Sequence, residues 1–501
     1  MKRTKKLFND ITFFSGSAFI SNIINFATGI IIRRILQPAL MGLFNEIMLV
    51  FDYARYSHFG IIDSLDRELP YLYGKKDHER VQTLKNAAFT FCLAVGSLIG
   101  VGVFIASFII DFNDKMLVGG IRIVSLIVIV YMLSSLYIVS NRAQHRFSLI
   151  SKYTILTAAC DLLLKTFLTI KFGLWGLLWA SFLTFGIGLL YFYKMSRESF
   201  RILINFPFKE LLHLFKIGFP MFIMGFAYMT LRSVDRIMII RFLGRESLGF
   251  YTISLMLAVY IVQLPNLVYA VIFPRFYQAY GERQNIHELR DIFVKPTFVF
   301  AYFFPVLIGA IIIALPLLIE YLLKAYSPGL TPAYILLLGS SFLSLINMPG
   351  YLLIAINKQY KMISICVLGV AAGVILNYIF AKKFNMGLTG IAIGTSITYF
   401  LYSTALMIYA FKHYTKNIAA HLKFFSQLYA PFLWVLALLA ALNFMNFNMS
   451  GRIVKDLFSV FFREVVFLLS CLPLFWYVNR KTSILSLLKQ HVFRIKQKGL
   501  A

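Results

Sequence analysis

The chain has 501 residues, of which 59% are hydrophobic and only 14% charged, and it carries a formal net charge of +28. That much apolar surface exceeds what a soluble domain of this length can bury, so a bilayer has to solvate it, and no stretch is left over for an independent soluble domain. A basic excess of this size invites a nucleic-acid reading until the Lys and Arg residues are placed along the chain.

The basic opening, MKRTKKLFND, leads straight into a full-length apolar stretch rather than a short one with a small-residue cleavage site, so the first span is expected to stay as an anchor. The sequence predicts an all-α integral membrane protein of about 14 transmembrane helices. In chain order they lie at 11–32, 43–64, 86–110, 116–140, 153–171, 174–193, 217–240, 250–272, 296–322, 333–356, 361–381, 388–411, 426–446 and 456–478. With both termini on the cytoplasmic side, 32 of the 49 Lys and Arg residues fall in inner segments, 11 in outer loops and six within spans. Most of the charge is thus the ordinary positive-inside bias, and no nucleic-acid partner is expected. The outer loops are too short to hold an extracytoplasmic catalytic domain. Inner segments 194–216 and 481–501 carry apolar residues at helical spacing (Phe208, Leu211, Leu212 and Phe215; Leu485, Leu488, Val492 and Ile495) and read as amphipathic helices on the inner surface. Cys92, Cys160, Cys366 and Cys471 all fall within spans and read as packing residues.

The chain also resembles itself. Arg34 to Phe44 (RILQPALMGLF) matches Arg241 to Tyr251 (RFLGRESLGFY), with Arg and Gly eight apart in both. Gln144-His145-Arg146 matches Gln359-Tyr360-Lys361, and Gly173-Leu174-Trp175-Gly176 matches Gly387-Leu388-Thr389-Gly390. The offsets are 207, 215 and 214. Six spans per unit is an even number, so the two units share one orientation, as parallel repeats enclosing a central cavity do. The expected organisation is an N-terminal lobe 1–193, a linker 194–216, a C-terminal lobe 217–412, two further helices in 413–480 and a tail 481–501. Gly42 and Gly249 are expected where a side chain would clash with a neighbouring helix.

A charge at mid-bilayer costs about 2.5–3.5 kcal/mol on insertion scales, so such residues face a cavity or a partner. Asn45, Asp52, Tyr56 and Asp63 share one arc of span two with Arg55 beside it, and span seven carries Tyr228, Arg232, Asp235 and Arg236. Asp52 with Arg55 and Asp161 with Lys165 stand at i,i+3 and i,i+4, which permits local pairing, so an ion-coupling and a purely structural role both remain open for them. Arg463 and Glu464 are adjacent, hence splayed, and read as peripheral. Arg122 has no acid within a turn, and span seven has two bases for one acid, which makes Arg122, Arg232 and Arg236 the better functional candidates. No Walker loop, HExxH or nucleophile motif is found, so no metal, no cofactor and no enzymatic activity are expected.

Three stretches resemble the bacterial flippases for lipid-linked oligosaccharides, of the O-antigen type, in the multidrug/oligosaccharidyl-lipid/polysaccharide exporter superfamily. They are Arg34 to Phe44; Ile217-Gly218-Phe219-Pro220 with Asp235-Arg236 and Leu248-Gly249-Phe250-Tyr251; and Gly387 to Thr395 (GLTGIAIGT). The resemblance implies a two-lobed alternating-access carrier in a bacterial cytoplasmic (inner) membrane. It implies a glycan on a polyprenyl pyrophosphate as cargo, membrane lipid as surroundings, and polysaccharide polymerase or ligase machinery as partner. It also implies a cationic cavity, a role carried here to Arg55, Arg122, Arg232 and Arg236. The chain departs from the family pattern at Gln37, where a glycine is common, so the first outer turn is expected to differ in shape. Two alternatives stay open: a cation-coupled drug exporter of the same fold, which would carry unpaired acids in its cavity, and a non-transporting scaffold of an envelope-synthesis complex, which would need no cavity charge.

Overall fold

The computed structural model describes residues 2–109, 114–196, 200–283, 285–444 and 450–483, with side chains at 14–109, 114–196, 200–265, 276, 285–442 and 450–483. Helices follow one another almost without interruption, and no strand occurs among the described residues. Inside a bilayer this is forced, because only the helix satisfies every backbone group within its own segment. Twelve stretches are long and apolar enough to cross a membrane. Two of these, Phe14–Ala54 and Phe147–Met195, run 41 and 49 residues, too long for one crossing, and each is folded at a single kink, so the described residues form fourteen membrane-crossing legs. The expected amphipathic tail lies outside the described residues from position 484 onward.

The chain divides into two compact units, Met1–Thr252 and Ile253–Ala501. In the first, helix α1 (Lys2–Ala54) turns at Gln37, whose φ of 61° and ψ of 169° break the helix, and Pro38 begins the second leg, where its missing N–H costs nothing. The outer loop expected between spans one and two is therefore absent. Arg33, expected in that loop, is inside α1 and buried, because Ile35 and Leu36 carry the helix one turn further before Gln37. The chain resumes as α2 (Ile61–Lys75), α3 (His78–Ile109) and α4 (Lys115–Ala143), then α5 (Phe147–Cys160), a π turn at Asp161–Lys165 and α6 (Thr166–Met195). Helix α7 (Phe208–Leu231) begins directly after Pro207 and leads to α8 (Val234–Leu243) and α9 (Arg245–Arg283), which continues past residue 252. The surface helix expected over 194–216 is the opening of α7 instead, since nothing between Phe208 and Gly218 interrupts the helical pattern. Leu211 and Leu214 of that opening join Leu65, Leu72, Leu84 and Leu136 in one apolar cluster. The segment before it is pinned to α3: the Arg201 N–H donates to Asn86 Oδ1 at 3.0 Å and the Leu203 N–H to Thr90 Oγ1 at 3.0 Å.

The second unit continues with α10 (Arg290–Leu322), α11 (Leu330–Leu343), α12 (Asn347–Ala355), α13 (Gln359–Tyr378), a π turn at Ile379–Lys383 and α14 (Gly387–Phe411). Spans thirteen and fourteen are α15 (Ile418–Phe444) and the pair α16 (Ile453–Ser470) and α17 (Leu472–Thr482). They attach to α10, where Val306 and Ile313 pack with Val435, Val460 and Phe467; Gly309 leaves the room that the Phe467 ring fills. The four cysteines are all free, three of them buried.

The repeat is written in the backbone. Gly244, at the place of Gln37 in the second copy, has φ 85° and ψ 174°. Gly173 and Gly387 both take positive φ, 57° and 56°, each four to eight residues after a π turn. Gly176 and Gly390 then press on the backbone of the preceding leg, at Leu168 and Phe380, where a Cβ would stand 1.9 and 2.6 Å from a carbonyl oxygen.

Candidate functional site

Two helices of the first unit are broken at the level of their charges. The second leg of α1 stops at Ala54, residues 55–60 turn, and α2 starts at Ile61; Phe59 and Gly60 take φ of 46° and 86°. Gly60 packs backbone to backbone against Gly218, and a Cβ on either glycine would stand 2.1 or 2.0 Å from the other's carbonyl oxygen. Helix α7 breaks at Arg232 and Ser233 before α8 begins. Ser233, fully buried, bonds through its hydroxyl to the Thr230 carbonyl at 3.2 Å, giving the backbone a partner outside the helical ladder. The two breaks meet, with Tyr53 Oη 2.9 Å from Ser233 Oγ. Interrupted helices at membrane depth occur where they are buried in protein or line a wet site, because their freed backbone groups need other partners.

The charges gather around these breaks. Asp52 is shared: Oδ2 accepts from Arg236 Nη1 at 2.9 Å, and Oδ1 lies 3.6 Å from Arg55 Nη2. Asp235, 1% exposed, accepts from the Tyr251 hydroxyl at 3.0 Å and from the Arg236 N–H at 2.8 Å. Arg232 caps the end of α7 with its guanidinium 5.8 Å from the Tyr228 ring centroid, and both Arg232 and Arg236 act electrostatically on Asp235. Three guanidinium groups thus face two carboxylates. A guanidinium carries its N–H donors in a planar fork whose geometry suits phosphate oxygens as well as carboxylates.

The other expected site residues lie elsewhere. Arg122 donates Nε to Ser107 Oγ at 3.0 Å and stacks 3.7 Å from the centroid of Phe108, an exposed ring on α3. Asp161 and Lys165 pair with each other at 2.9 Å across the π turn. Arg463 lies by Tyr334 in the second unit. Two further arginines had been missed. Arg33 donates to the Gly29 carbonyl at 2.9 Å, the Thr252 carbonyl at 3.0 Å and Thr252 Oγ1 at 3.3 Å. Arg245 bridges Glu46 and Asp114. For Arg33 the resumption of apolar residues at Ile35 and Leu36 after the Arg33-Arg34 pair was an available signal. For Arg245 the three partners stand at separate span ends, and their spacing announces nothing.

Fourteen membrane-crossing legs among the described residues, a paired internal repeat and broken helices at a charged site define a polytopic integral membrane protein. Solved structures agree on the fold. "Lipid II flippase MurJ, inward closed conformation" superposes with a TM-score of 0.68 at 17% identity, covering 91% of this chain and 97% of that one. An inward-facing multidrug resistance MATE family transporter of the MOP superfamily gives 0.66 at 16% identity, covering 79% and 94%. The eukaryotic MATE transporter AtDTX14 gives 0.60 at 15% identity, covering 86% and 99%. No curated protein matches the chain. The family model described as "Polysaccharide biosynthesis protein" matches residues 31–328, and the chain belongs to that family.

Proposed function

We propose that the chain is an alternating-access flippase that carries a polyprenyl-pyrophosphate-linked oligosaccharide from the inner to the outer leaflet for cell-surface polysaccharide biosynthesis. The observation that carries this reading is the meeting of two broken helices around Arg55, Arg232 and Arg236 with Asp52 and Asp235. In the resting protein Asp52 holds Arg236 through one N–H group with Arg55 beside it; a pyrophosphate takes over those guanidinium groups on binding, and the freed carboxylate can accept a proton or sodium that resets the carrier. An interior-negative potential favours expelling a negative charge by about 2.3 kcal/mol per charge per 100 mV. The positive-inside bias of the loops supports both termini on the cytoplasmic side; a bacterial cytoplasmic membrane as the location and a polysaccharide polymerase or ligase as acceptor of the delivered lipid follow from the flippase reading itself.

Reconstituted protein should move fluorescent lipid-linked oligosaccharide across liposomes faster than protein-free vesicles do, and Arg232→Ala or Arg236→Ala should slow it about tenfold or more. A rate equal to that of empty liposomes sinks the reading. Uptake of a cationic dye in place of the glycan lipid would replace it with the drug-exporter reading.

A further inference from the structure

The segment between α6 and α7 has two unlike faces. On the inward one, Phe200 stacks on Phe89 with ring centroids 5.2 Å apart and meets Tyr137 edge-on at 4.7 Å, and Leu203 packs against the same apolar cluster as Leu211 and Leu214. On the outward one, Ile202, Ile204, Phe206 and Phe208 stay exposed, Ile204 completely. Connecting segments ordinarily turn polar residues outward, so four large apolar side chains so close together mark a surface that something covers.

Depth identifies the cover. Helix α3 runs unbroken to Ile109, and the two residues that hold the segment, Asn86 and Thr90, lie 23 and 19 residues before that end. At 1.5 Å per residue this is about 34 and 28 Å, against about 30 Å of bilayer hydrocarbon. Helix α4 gives a similar level: Asn141, bonded to Ser196 directly after α6 at 3.4 Å, stands 26 residues from Lys115, about 39 Å. The segment therefore lies where hydrocarbon gives way to headgroups, at the end of α3 opposite Asp114. Lipid is present at that depth without being recruited. Lys194, Arg201 and Lys209, all exposed, stand among the apolar residues, and the neighbouring acid Glu210 faces Arg80 at 3.5 Å. An apolar face rimmed by cations fits an anionic phospholipid surface.

We propose that residues 200–208 anchor the protein in the inner leaflet, with Ile202, Ile204 and Phe206 among the upper acyl chains and Lys194, Arg201 and Lys209 on the phosphates of anionic phospholipid. The anchor goes beyond the flippase reading and does not depend on the cargo. To test it, full-length protein with Ile204→Cys, and with Cys160→Ser at the one cysteine that is not buried, carries a bimane label in liposomes of phosphatidylcholine and phosphatidylglycerol. Lipid bearing a doxyl group high on its chain should quench the label. Iodide, supplied on both sides, should reach it about fivefold less than it reaches the same label at Lys76→Cys, on the exposed cap of α2. Doxyl-labelled phosphatidylglycerol should quench at about threefold lower mole fraction than doxyl-labelled phosphatidylcholine. Arg201→Gln combined with Lys209→Gln should bring the two lipids together while the shielding from iodide stays. Iodide access equal to that at Lys76→Cys, as a face kept for a soluble protein partner would show, overturns the anchor. Equal quenching by the two lipids without the glutamine substitutions overturns the anionic headgroup.

Discussion

Gln37 and Gly244, separated by 207 residues, share one backbone conformation, with φ 61° and ψ 169° at the glutamine and φ 85° and ψ 174° at the glycine. The turn at Gln37 therefore has the shape that Gly244 takes in the second copy, one for which a glycine is suited. This region is nearly closed to residues with a Cβ and costs about 1–3 kcal/mol to occupy. Gln37 recovers part of that by donating Nε2 to the Arg34 carbonyl at 2.9 Å. Gln37→Gly is expected to raise stability by about 1 kcal/mol, and Gly244→Gln to lower it by about 1–3. Thermal melting in detergent reads both; a lower melting temperature for Gln37→Gly would mean that the side-chain hydrogen bond outweighs the strain.

Gly42 and Gly249, one turn beyond those kinks, close on each other's legs. A Cβ at Gly42 would stand 1.9 Å from the Arg245 carbonyl oxygen, and one at Gly249 1.9 Å from that of Pro38. Both obstacles are backbone, so the helices themselves must part. Each single alanine variant should cost about 1–3 kcal/mol. The double variant should cost less than the sum, because one separation relieves both clashes. Additive costs in a double-mutant cycle would show two independent contacts instead.

The kinks and glycine contacts were legible because their causes are local: a turn residue, a proline at the start of a leg, a glycine where chains cross. The i,i+3 and i,i+4 pairs, Asp52 with Arg55 and Asp161 with Lys165, were legible for the same reason. The breaks after Ala54 and Leu231 were not. Only Gly60 punctuates the first, and Leu231-Arg232-Ser233-Val234 contains no glycine or proline. Asp52 meets Arg236 across 184 residues, a pairing that helix periodicity cannot predict. Of the basic residues expected at Arg122 and span seven, those of span seven join the Asp52 site, whereas Arg122 turns toward α3.

Removing Arg236 leaves Asp52 with only Arg55, 3.6 Å away, in a site where both carboxylate and guanidinium are largely out of solvent. Arg236→Ala should therefore cost about 1–3 kcal/mol, less than for a fully buried pair, and Asp52→Asn should restore most of it. A cargo role needs a separate readout. Arg236→Lys keeps the charge but loses the fork, so glycan-lipid transport should fall about tenfold at nearly unchanged stability. Full transport by the lysine variant would reduce Arg236 to a structural partner.

Arg122 provides the contrasting case. Its guanidinium lies against Phe108 and Phe104 at 3.7 and 5.8 Å and bonds Ser107, with no member of the Asp52 site among these partners. Arg122→Ala should cost about 0.5–1 kcal/mol of stability, the worth of an accessible cation–π contact. Transport per folded molecule should stay within about twofold of wild type. A loss as deep as that of Arg232→Ala would place Arg122 on the cargo path.

Asp114 stands between α3 and α4, where Oδ1 accepts the N–H groups of Met116 and Leu117 at 2.8 and 3.3 Å and Oδ2 pairs with Arg245. Burial pushes its carboxyl up, but those two N–H groups and the guanidinium outweigh it and hold the group below the usual carboxylate range. A carboxylate lowered on folding contributes stability above its unfolded value of about 3.9 and loses it as the pH falls through the folded value. The difference in melting temperature between wild type and Asp114→Asn should therefore stay constant from about pH 8 to 5 and shrink only below about pH 4. Melting curves in detergent across that range measure it. A difference that already shrinks between pH 7 and 5 would show that burial dominates, and that the link between Arg245 and Asp114 is not held as an ion pair.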